Sequence, residues 1–501
     1  MCNQFKLKRT LTVGIAVLTA LLGLIADRSF ARTRPRTSIA NLAPSQRLTA
    51  TEIAAGIDEY LRPFQQTNNF SGVVLVSQND RAVYQKGYGQ ADPSFDVLNT
   101  PQTQFHIASI SKGFTAAAIL MLEERGQLDT TDPVSKFLPD YPNGTRIRLE
   151  HLLRHTSGIP NVDDYPEVSV PYTPYTPETI VARFEDKPLD FEPGSRARYS
   201  NSNYALLALI IEKVSGLSYG EFLKTNIFDV LGLKSTTHYG DARRIIRNLA
   251  VGTEPDGLSD LRYVPFLGWS STTGSGSIVS TAADLCKFTR SVFSGSLLKR
   301  ASVAKLIRAE GVFPYGWSHR ELFGHKGMGN GGRMRGFISD IEYFPDDDMC
   351  VAILTNSYSS VGQVIARDIG AIALGQTATP PKIGYVRPQP GQLAGFAGHF
   401  QMPENYFTPN ASMMIRDHGD YLEASWSSGG TSVIYPTGGD DFVDRSNWAM
   451  VHFTRDAQNQ ITGFTYNLLQ KFAARKLLAS TPNASRPKGR ALKEGVTSGM
   501  P

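Results

Sequence analysis

Two serines and a lysine stand close together in the mostly apolar stretch FHIASISKGF, residues 105–114. A serine hydroxyl is a weak nucleophile until a neighbouring base accepts its proton. Residues three apart lie on one face of a helix, so Lys112 can reach Ser109 but does not face Ser111. A helix that begins at Ser109 would also bring the positive end of its dipole to that hydroxyl. The spacing predicts Ser109 as a nucleophile and Lys112, uncharged when buried, as a proton-transfer group.

The pattern S-x-x-K is common by chance, and a capping serine with a lysine reaching solvent explains it without catalysis. A second segment changes that balance. Tyr199, Ser200 and Asn201 directly precede the apolar run YALLALII, which is typical of a buried helix. A phenol and an amide at the start of that helix could complete a site around Ser109.

Four segments together resemble the serine β-lactamase and penicillin-binding protein superfamily. The chain looks most like the branch that contains class C β-lactamases, D-Ala-D-Ala carboxypeptidases and esterases. ASISK is similar to the nucleophile motif of that family and YSN to its second motif. LEHLLRHTSGIP and STAADLCKF resemble two further segments usual in the family. The resemblance covers about residues 50 to 375.

The resemblance implies a role for each of these residues. Ser109 would attack a carbonyl and form an acyl-enzyme. Tyr199 would be the general base toward the serine or the deacylating water, tuned by Lys112, and Asn201 would hydrogen-bond the amide or ester of the substrate. A tyrosine has an ordinary pKa near 10, so a base at neutral pH needs that pKa lowered by about 3 units. We therefore expect nearby cations to lower the pKa of Tyr199.

The third motif of the family is a strand reading K-T-G, H-T-G or H-G-G, which pairs with the substrate and donates an oxyanion N–H. Two registers compete in this sequence. HKG at His325–Gly327 matches by letter, whereas NGG at Asn330–Gly332 matches by its distance from the preceding YGW and the following GF. We favour NGG as the substrate-binding strand. The amide of Arg333 would then complete the oxyanion hole with that of Ser109.

This register places Asn330 where the family usually has lysine or histidine. The ionisable group at that position helps to recognise a carboxylate and to tune the tyrosine. Its replacement puts β-lactamase and carboxypeptidase activity in doubt and leaves esterase or D-amino-acid amidase chemistry open. Arg333 or Arg335 could supply the missing charge.

Other patterns point to other chemistries but lack their context. GLSYG satisfies G-x-S-x-G with Ser218 as nucleophile, yet that motif needs a preceding strand, and YALLALIIEKVS predicts a helix. Gly216 is then a C-cap and Ser218 the next N-cap. His151 and His155 have zinc-ligand spacing without the glutamate of H-E-x-x-H, and no βαβ pattern follows GMGNGG. We infer neither a metal nor another cofactor.

The periodicities predict an α/β (α+β) domain with an antiparallel sheet flanked by helices. A helix over about 49–66 leads into a hairpin, with strands at 73–77 and 82–84. A buried helix follows over about 109–125. The strands FISDIEYF and MCVAILTN return near the end of this domain, so the sheet should be closed by its two termini, with a helical subdomain between them.

The first residues predict a secretory signal peptide. Basic residues precede the apolar run Leu11–Ala26, which is shorter than a typical membrane span, and small residues suit cleavage after Ala31. An uncleaved membrane anchor is the alternative. The expected location of the mature protein is periplasmic or secreted.

Changes in composition divide the chain into five parts. We predict a signal peptide over 1–31, a β-lactamase-like serine hydrolase domain over 46–376 and a Pro- and Thr-rich linker over 377–392. Short strands with Gly, Asn and Asp turns predict a small antiparallel, barrel-like β domain over 393–478. The polar tail over 479–501 is expected to be disordered.

The composition is that of a soluble, globular protein. The 501 residues include 41% hydrophobic and 19% charged residues, and the net charge of +5 falls to about +2 without the basic first segment. Nothing in this balance suggests a nucleic-acid partner. Cys286 and Cys350 lie in apolar patterns, so two buried free thiols are expected rather than a disulfide.

The predicted function is that of an exported serine hydrolase acting through an acyl-enzyme on a small amide or ester. A D-Ala peptide, a β-lactam and a simple ester all fit, and the partner could be peptidoglycan-derived. A catalytically silent or slow penicillin- or peptidoglycan-binding protein, or a sensor, is the alternative. The role of the β domain and the oligomeric state stay open.

Overall fold

The computed structural model describes residues 48–164, 174–264, 268–308, 313–359, 361–379, 384–406, 410–427, 430–467 and 471–477. The predicted signal peptide, 1–31, and the predicted tail, 479–501, lie outside these ranges. None of the helices in the described ranges combines the length and apolar character that a bilayer-spanning helix needs.

A six-stranded antiparallel sheet forms the centre of the first domain. From edge to edge its strands are β10 (Ser318–Leu322), β11 (His325–Met334), β12 (Phe337–Phe344), β13 (Met349–Thr355), β1 (Gly72–Gln78) and β2 (Arg81–Tyr88). The N-terminal hairpin joins strands from the other end of the domain, because β1 pairs with β13 from Gly72 opposite Thr355 to Gln78 opposite Met349. The sheet is therefore closed by its two termini, as the sequence predicted.

Helices cover both faces of this sheet and build the subdomain beside it. They are α1 (Ala50–Gln66), α2 (Ser111–Glu124), α3 (Leu149–Leu153), α4 (Pro177–Val181), α5 (Asn201–Ser215), α6 (Tyr219–Leu223), α7 (Asp229–Leu231), α8 (Ala282–Phe293), α9 (Arg300–Ile307) and α10 (Val361–Ala373). Short strands complete the domain: β3 (Gln90–Asp92), β4 (Val97–Leu98), β5 (Phe105–His106), β6 (Thr237–His238), β7 (Thr253–Asp256), β8 (Asp260–Tyr263) and β9 (Ile278–Ser280).

The alternation of side chains along β1 divides the hydrophobic core into two layers. Val74 and Val76 belong to the layer that contains α1 and α10. Val73 and Leu75 point to the opposite face and join the layer that contains α2, α5 and α8. Most of α2 is buried in this second layer, and the segment holding Lys112 therefore sits in a rigid, apolar setting.

The helix that carries Lys112 begins two residues later than predicted. A 3-10 turn spans Ala108–Ile110, and α2 begins at Ser111. Ala108 has a φ of 46°, which is uncommon for a residue other than glycine and turns the chain sharply ahead of the helix. Ser109 is half-buried in this turn, whereas Ser111 is fully buried and its Oγ accepts a hydrogen bond from the amide of Ile278. The helix dipole therefore acts on Ser109 from the following turn.

The second domain is a closed antiparallel barrel. Its strands, in chain order and in spatial order, are β14 (Gly398–Gln401), β15 (Ser412–Asp417), β16 (Leu422–Trp426), β17 (Thr431–Gly438), β18 (Asp441–Asp444), β19 (Ala449–Arg455), β20 (Ile461–Asn467) and β21 (Lys471–Lys476). Pairing of β14 with β21 closes the barrel around a core rich in phenylalanine. An antiparallel sheet with helices, followed by a β-barrel, confirms the predicted fold class.

Cys286 on α8 and Cys350 on β13 are both free thiols buried in the core. Burial and the neighbouring thiol of Cys286 hold the pKa of Cys350 well above its usual value. The two cysteines are therefore thiols in the apolar layer, as predicted, and not a disulfide.

Candidate active site

A cleft of about 300 Å³ opens beside the 3-10 turn that carries Ser109. It is lined by residues from the turn, α2, the loop before α5, the segment before β10, and β10 and β11. The lining residues are Ser109, Lys112, His155, Tyr199, Phe313, Pro314, Gly316, Trp317, Ser318, Asn330, Gly331 and Arg333. Segments distant in sequence thus meet at one hydroxyl.

The cleft brings Ser109, Lys112 and Tyr199 into direct contact. Lys112 Nζ lies 3.1 Å from Ser109 Oγ and donates to the carbonyl of Ser275 at 2.9 Å. The phenolic oxygen of Tyr199 lies 2.7 Å from Ser109 Oγ. The serine hydroxyl therefore has a possible proton acceptor and a possible proton donor within hydrogen-bond distance.

The surroundings of Lys112 favour its uncharged form. The side chain is 2% exposed, and desolvation lowers its pKa to about 7, although the negative charge of Asp163 partly opposes this. Its Nζ sits 4.8 Å from the ring centroid of Tyr199 and 5.6 Å from that of Tyr204. A lysine at this pKa is available as a base near neutral pH.

The expected lowering of the Tyr199 pKa is wrong. The residue is 38% exposed, yet desolvation raises the pKa of its phenol above the usual value, and the hydrogen bond with Ser109 only partly offsets this. Tyr199 is therefore a neutral phenol at neutral pH. Because Lys112 has the lower pKa of the two, we infer that it is the base and that Tyr199 donates or relays a proton.

His155 lines the cleft, although the family-like segment LEHLLRHTSGIP gave it no role at the site and its spacing from His151 pointed only to zinc. It is buried, and its ring centroid lies 4.6 Å from that of Tyr199. Its Nδ1 accepts from the backbone amide of Ser200 at 3.1 Å, and burial lowers its pKa to about 3. A neutral imidazole thus fixes the loop that presents Tyr199. The signal for this role was the HTSG segment, whose position in the fold a single sequence does not reveal.

Asn330 ties β11 to the turn that carries the nucleophile. Its Nδ2 donates to the carbonyl of Ser109 at 3.2 Å and to that of Gly316 at 2.6 Å. At Gly332 a β-carbon would come within 2.1 Å of the carbonyl oxygen of Ile107, so only glycine allows the strand to approach this closely. The NGG segment therefore runs along the cleft beside Ser109, and Arg333 follows it in the lining.

The competing register, His325–Gly327, lies at the far end of β11. His325 pairs with Leu322 in the β10–β11 hairpin and contacts Asp347 at 2.6 Å. None of these residues lines the cleft among the described residues. The HKG segment therefore lies at the β10–β11 hairpin, whereas the NGG segment of the same strand lies beside Ser109.

Asn201 does not line the cleft, although it was predicted to bind the substrate. It is buried at the start of α5, where its Nδ2 donates to Asp163 at 2.5 Å and its backbone amide donates to Asn161. Its Oδ1 is buried and makes no hydrogen bond to any residue in the described ranges. The side chain of Asn201 therefore contacts Asp163 and not the cleft.

The two other patterns have structural explanations. Ser218 is the N-cap of α6, where it forms a capping box with Glu221, and Gly216 ends α5 with a φ of 71°. His151 Nδ1 accepts from the amide of Arg148, away from His155. Within the described parts of the chain, no group of three or more His, Cys, Asp or Glu side chains could hold a metal ion.

Comparisons with known proteins agree with this geometry. A family model described as Beta-lactamase matches residues 57–375. The curated relative "Putative penicillin-binding protein PbpX" of Bacillus subtilis (strain 168) is 33% identical over 313 residues, 62% of this chain and 71% of that protein. "Teichoic acid D-alanine hydrolase" of Staphylococcus aureus is 30% identical over 272 residues, 53% of this chain and 64% of that protein.

A solved structure shows the same fold. D-amino acid amidase from Ochrobactrum anthropi SV3, complexed with L-phenylalanine amide, superposes with a TM-score of 0.57 at 22% identity, over 64% of this chain and 98% of that chain. The family match spans the nucleophile turn, the loop of Tyr199 and strand β11. The chain therefore belongs to the beta-lactamase family and is a serine hydrolase of that family.

Proposed function

We propose that this protein is an exported hydrolase that forms an acyl-enzyme on Ser109 with small amides or esters of D-amino acids. The observation that carries the proposal is the contact of Ser109 Oγ with both Lys112 Nζ at 3.1 Å and the phenol of Tyr199 at 2.7 Å. Relatives named for D-alanine ester and D-amino acid amide substrates support this substrate class. The apolar segment ahead of the catalytic domain supports export to the periplasm or beyond.

The proposed reaction uses these contacts for its proton transfers. Ser109 Oγ attacks the substrate carbonyl while its proton passes to Lys112 Nζ, and the carbonyl oxygen becomes an oxyanion between the amides of Ser109 and Arg333. The proton then passes through Tyr199 to the leaving nitrogen or oxygen, which departs as an amine or alcohol. Water then attacks the acyl carbon and gives a proton to Lys112. The bond from the acyl carbon to Ser109 Oγ breaks, Ser109 Oγ takes that proton back, and the acid is released.

The test is intact-protein mass spectrometry and turnover with a D-alanyl ester and with a penicillin. We expect ester hydrolysis by the wild type and a loss of at least about a thousandfold in Ser109→Ala. Ser218→Ala is the matched control, because that exposed serine caps α6 outside the cleft and its replacement should keep the activity. Hydrolysis that survives Ser109→Ala contradicts the proposal. A long-lived penicillin adduct without ester turnover favours the silent binding protein instead.

A further inference from the structure

The turn between β18 and β19 of the barrel, Asp444–Trp448, is inserted into the catalytic domain. Its Arg445 is 0% exposed, although arginine is rarely buried in proteins. The guanidinium donates only to backbone carbonyls of the catalytic domain, at 2.5 to 3.2 Å: those of Thr67, Asp256, Gly257 and Asp260. Burial lowers the pKa of this guanidinium to about 10, so it stays charged at neutral pH.

Further contacts hold the same turn in place. The carbonyl of Arg445 accepts from Asn69 Nδ2 at 2.7 Å and from Ser359 Oγ at 3.3 Å. Trp448 packs against Phe64 of α1 with ring centroids 5.0 Å apart. Asp444–Trp448 is thus a rigid part of the domain boundary rather than a surface turn.

This turn reaches the active-site strand through Asn447. The backbone amide and Nδ2 of Asn447 donate to the two carboxylate oxygens of Asp444 at 2.9 and 3.1 Å. Asp444 is itself 0% exposed and also accepts from Ser432 and Tyr466 inside the barrel. With its NH₂ group committed to Asp444, the Oδ1 of Asn447 faces outward and accepts from Arg333 Nη2 at 3.0 Å.

On the catalytic side, Tyr358 holds the same guanidinium. Arg333 Nε donates to the phenol of Tyr358 at 3.0 Å, and the guanidinium carbon lies 4.9 Å from the ring centroid. The guanidinium of Arg333 is therefore hydrogen-bonded to a residue of each domain, and Arg333 also lines the cleft beside Ser109. No Asp or Glu belongs to the described lining. Because the pKa of Lys112 is lowered to about 7, the permanent positive charge in this lining is that of Arg333.

We propose that the barrel, through Asn447, orients Arg333 so that its guanidinium binds an anionic group of the substrate. The group is a carboxylate or a phosphate, because a planar guanidinium matches the oxygen pair of either. Asn447 and Tyr358 are positioning residues in this arrangement, and Arg333 is the specificity-determining one. This inference rests on the proposed hydrolase function. It goes further in giving the second domain a role in the selection of anionic substrates.

The experiment compares matched substrates that differ only in charge. The pairs are acyl-D-alanyl-D-alanine with its C-terminal amide, the D-alanyl esters of glycerol phosphate and of glycerol, and the p-nitrophenyl esters of succinic and of butyric acid. In each pair the kcat/KM of the charged member is divided by that of the neutral one. The wild type should prefer the charged member in at least one pair, and that pair identifies carboxylate or phosphate as the bound group.

In the preferred pair, Arg333→Ala should lower the charged-to-neutral ratio at least about tenfold, since alanine keeps the backbone amide but removes the guanidinium. Asn447→Leu and Tyr358→Phe should lower the ratio less, mainly through a higher KM for the charged member. Damage to the fold lowers both members alike and leaves the ratio unchanged. Asn447→Ala carries the test if Asn447→Leu unfolds the barrel, because it removes Oδ1 but keeps the backbone amide that donates to Asp444. Arg335→Ala is the matched control, because Arg335 is exposed two residues along and lies outside the cleft.

The outcomes separate this inference from the proposed function. Turnover of neutral substrates without a charge preference in any pair overturns the inference alone. A preference that persists in Arg333→Ala does the same. A preference that is lost in Arg333→Ala but unchanged in a folded Asn447 variant overturns the role of the barrel. Failure of the wild type to turn over either member of every pair contradicts the hydrolase function itself.

Discussion

Lys112 Nζ lies 3.1 Å from Ser109 Oγ in a setting that favours the free amine. The Tyr199 phenol contacts the same oxygen, but its pKa is raised rather than lowered. This contrast assigns the two roles: the amine accepts the serine proton, and the phenol delivers a proton to the leaving group.

Replacing Lys112 by methionine should abolish acylation and stabilise the protein at neutral pH. Its pKa of about 7 in the fold against 10.5 in the unfolded chain means that the unfolded state binds more protons between those values, so folding stability rises with pH across that window. The full cost, up to about 5 kcal/mol, is present below pH 7. Loss of the hydrogen bond to Ser275 offsets about 1–3 kcal/mol.

The net expectation for Lys112→Met is a gain of about 3 kcal/mol in the free energy of unfolding at pH 6 to 7, shrinking to a net loss above pH 10.5. Denaturant titrations at several pH values measure it. Equal stability of wild type and variant at every pH would show that the lysine is charged in the fold at no cost.

Tyr199→Phe should lower kcat by about 10² to 10⁴, because a phenylalanine cannot carry a proton to the leaving group. The ring contacts with His155 and Lys112 stay, so thermal unfolding should change little. The loss should be smaller for a p-nitrophenyl ester, whose leaving group needs no proton, than for an amide. Equal losses for both leaving groups would contradict the proton-donor role.

Gly332→Ala should disable the site by moving β11 away from the nucleophile turn. The added β-carbon would overlap the carbonyl oxygen of Ile107 at 2.1 Å, a backbone atom that cannot rotate aside. We expect about 1–3 kcal/mol of destabilisation and a loss of activity at least tenfold larger than that of Gly395→Ala, whose β-carbon has nothing within 4 Å. Activity and unfolding curves of the two variants make the comparison, and equal behaviour would show that β11 can shift without harm.

His155→Phe tests whether the imidazole positions Tyr199. Phenylalanine keeps the ring packing but loses the acceptor for the amide of Ser200. An unpaired buried amide costs about 1–3 kcal/mol, and we expect a comparable loss of stability together with a drop in kcat of about tenfold. His155→Asn, whose side-chain oxygen can accept from an amide, should recover part of the activity. A shift in the pH profile of His155→Phe would instead make His155 a titrating catalytic group.

The sequence predicted the parts of the site that depend on short spacing. Ser109 and Lys112 are three residues apart, and either a 3-10 turn or a helix brings such a pair together, so the error in the helix start did not matter. The hairpin 73–84 and the strands around 340 and 352 followed from their strand-forming residues and from the turns QND and PDDD between them. The capping role of Ser218 followed from the helix that precedes it.

What the sequence could not predict depends on packing between distant segments. Desolvation is the main cause of the raised pKa of Tyr199, and no local sequence pattern encodes how far the fold removes water from a side chain. Asn201 was assigned to the substrate by resemblance, but its amide is engaged by Asp163. Arg333 and Asn447 are 114 positions apart and lie in two domains. No pattern around either residue predicts their contact.

The pH dependence of Ser109 acylation tests the central claim most directly. The rate constant for adduct formation is measured by rapid quench and mass spectrometry from pH 5 to 9, with an activated ester whose leaving group needs no proton. Because the uncharged amine accepts the serine proton, the rate should rise with pH through a single pKa near 7 and then level off. A rate that is flat across this range, or that rises only above pH 9, contradicts the claim that Lys112 is the base.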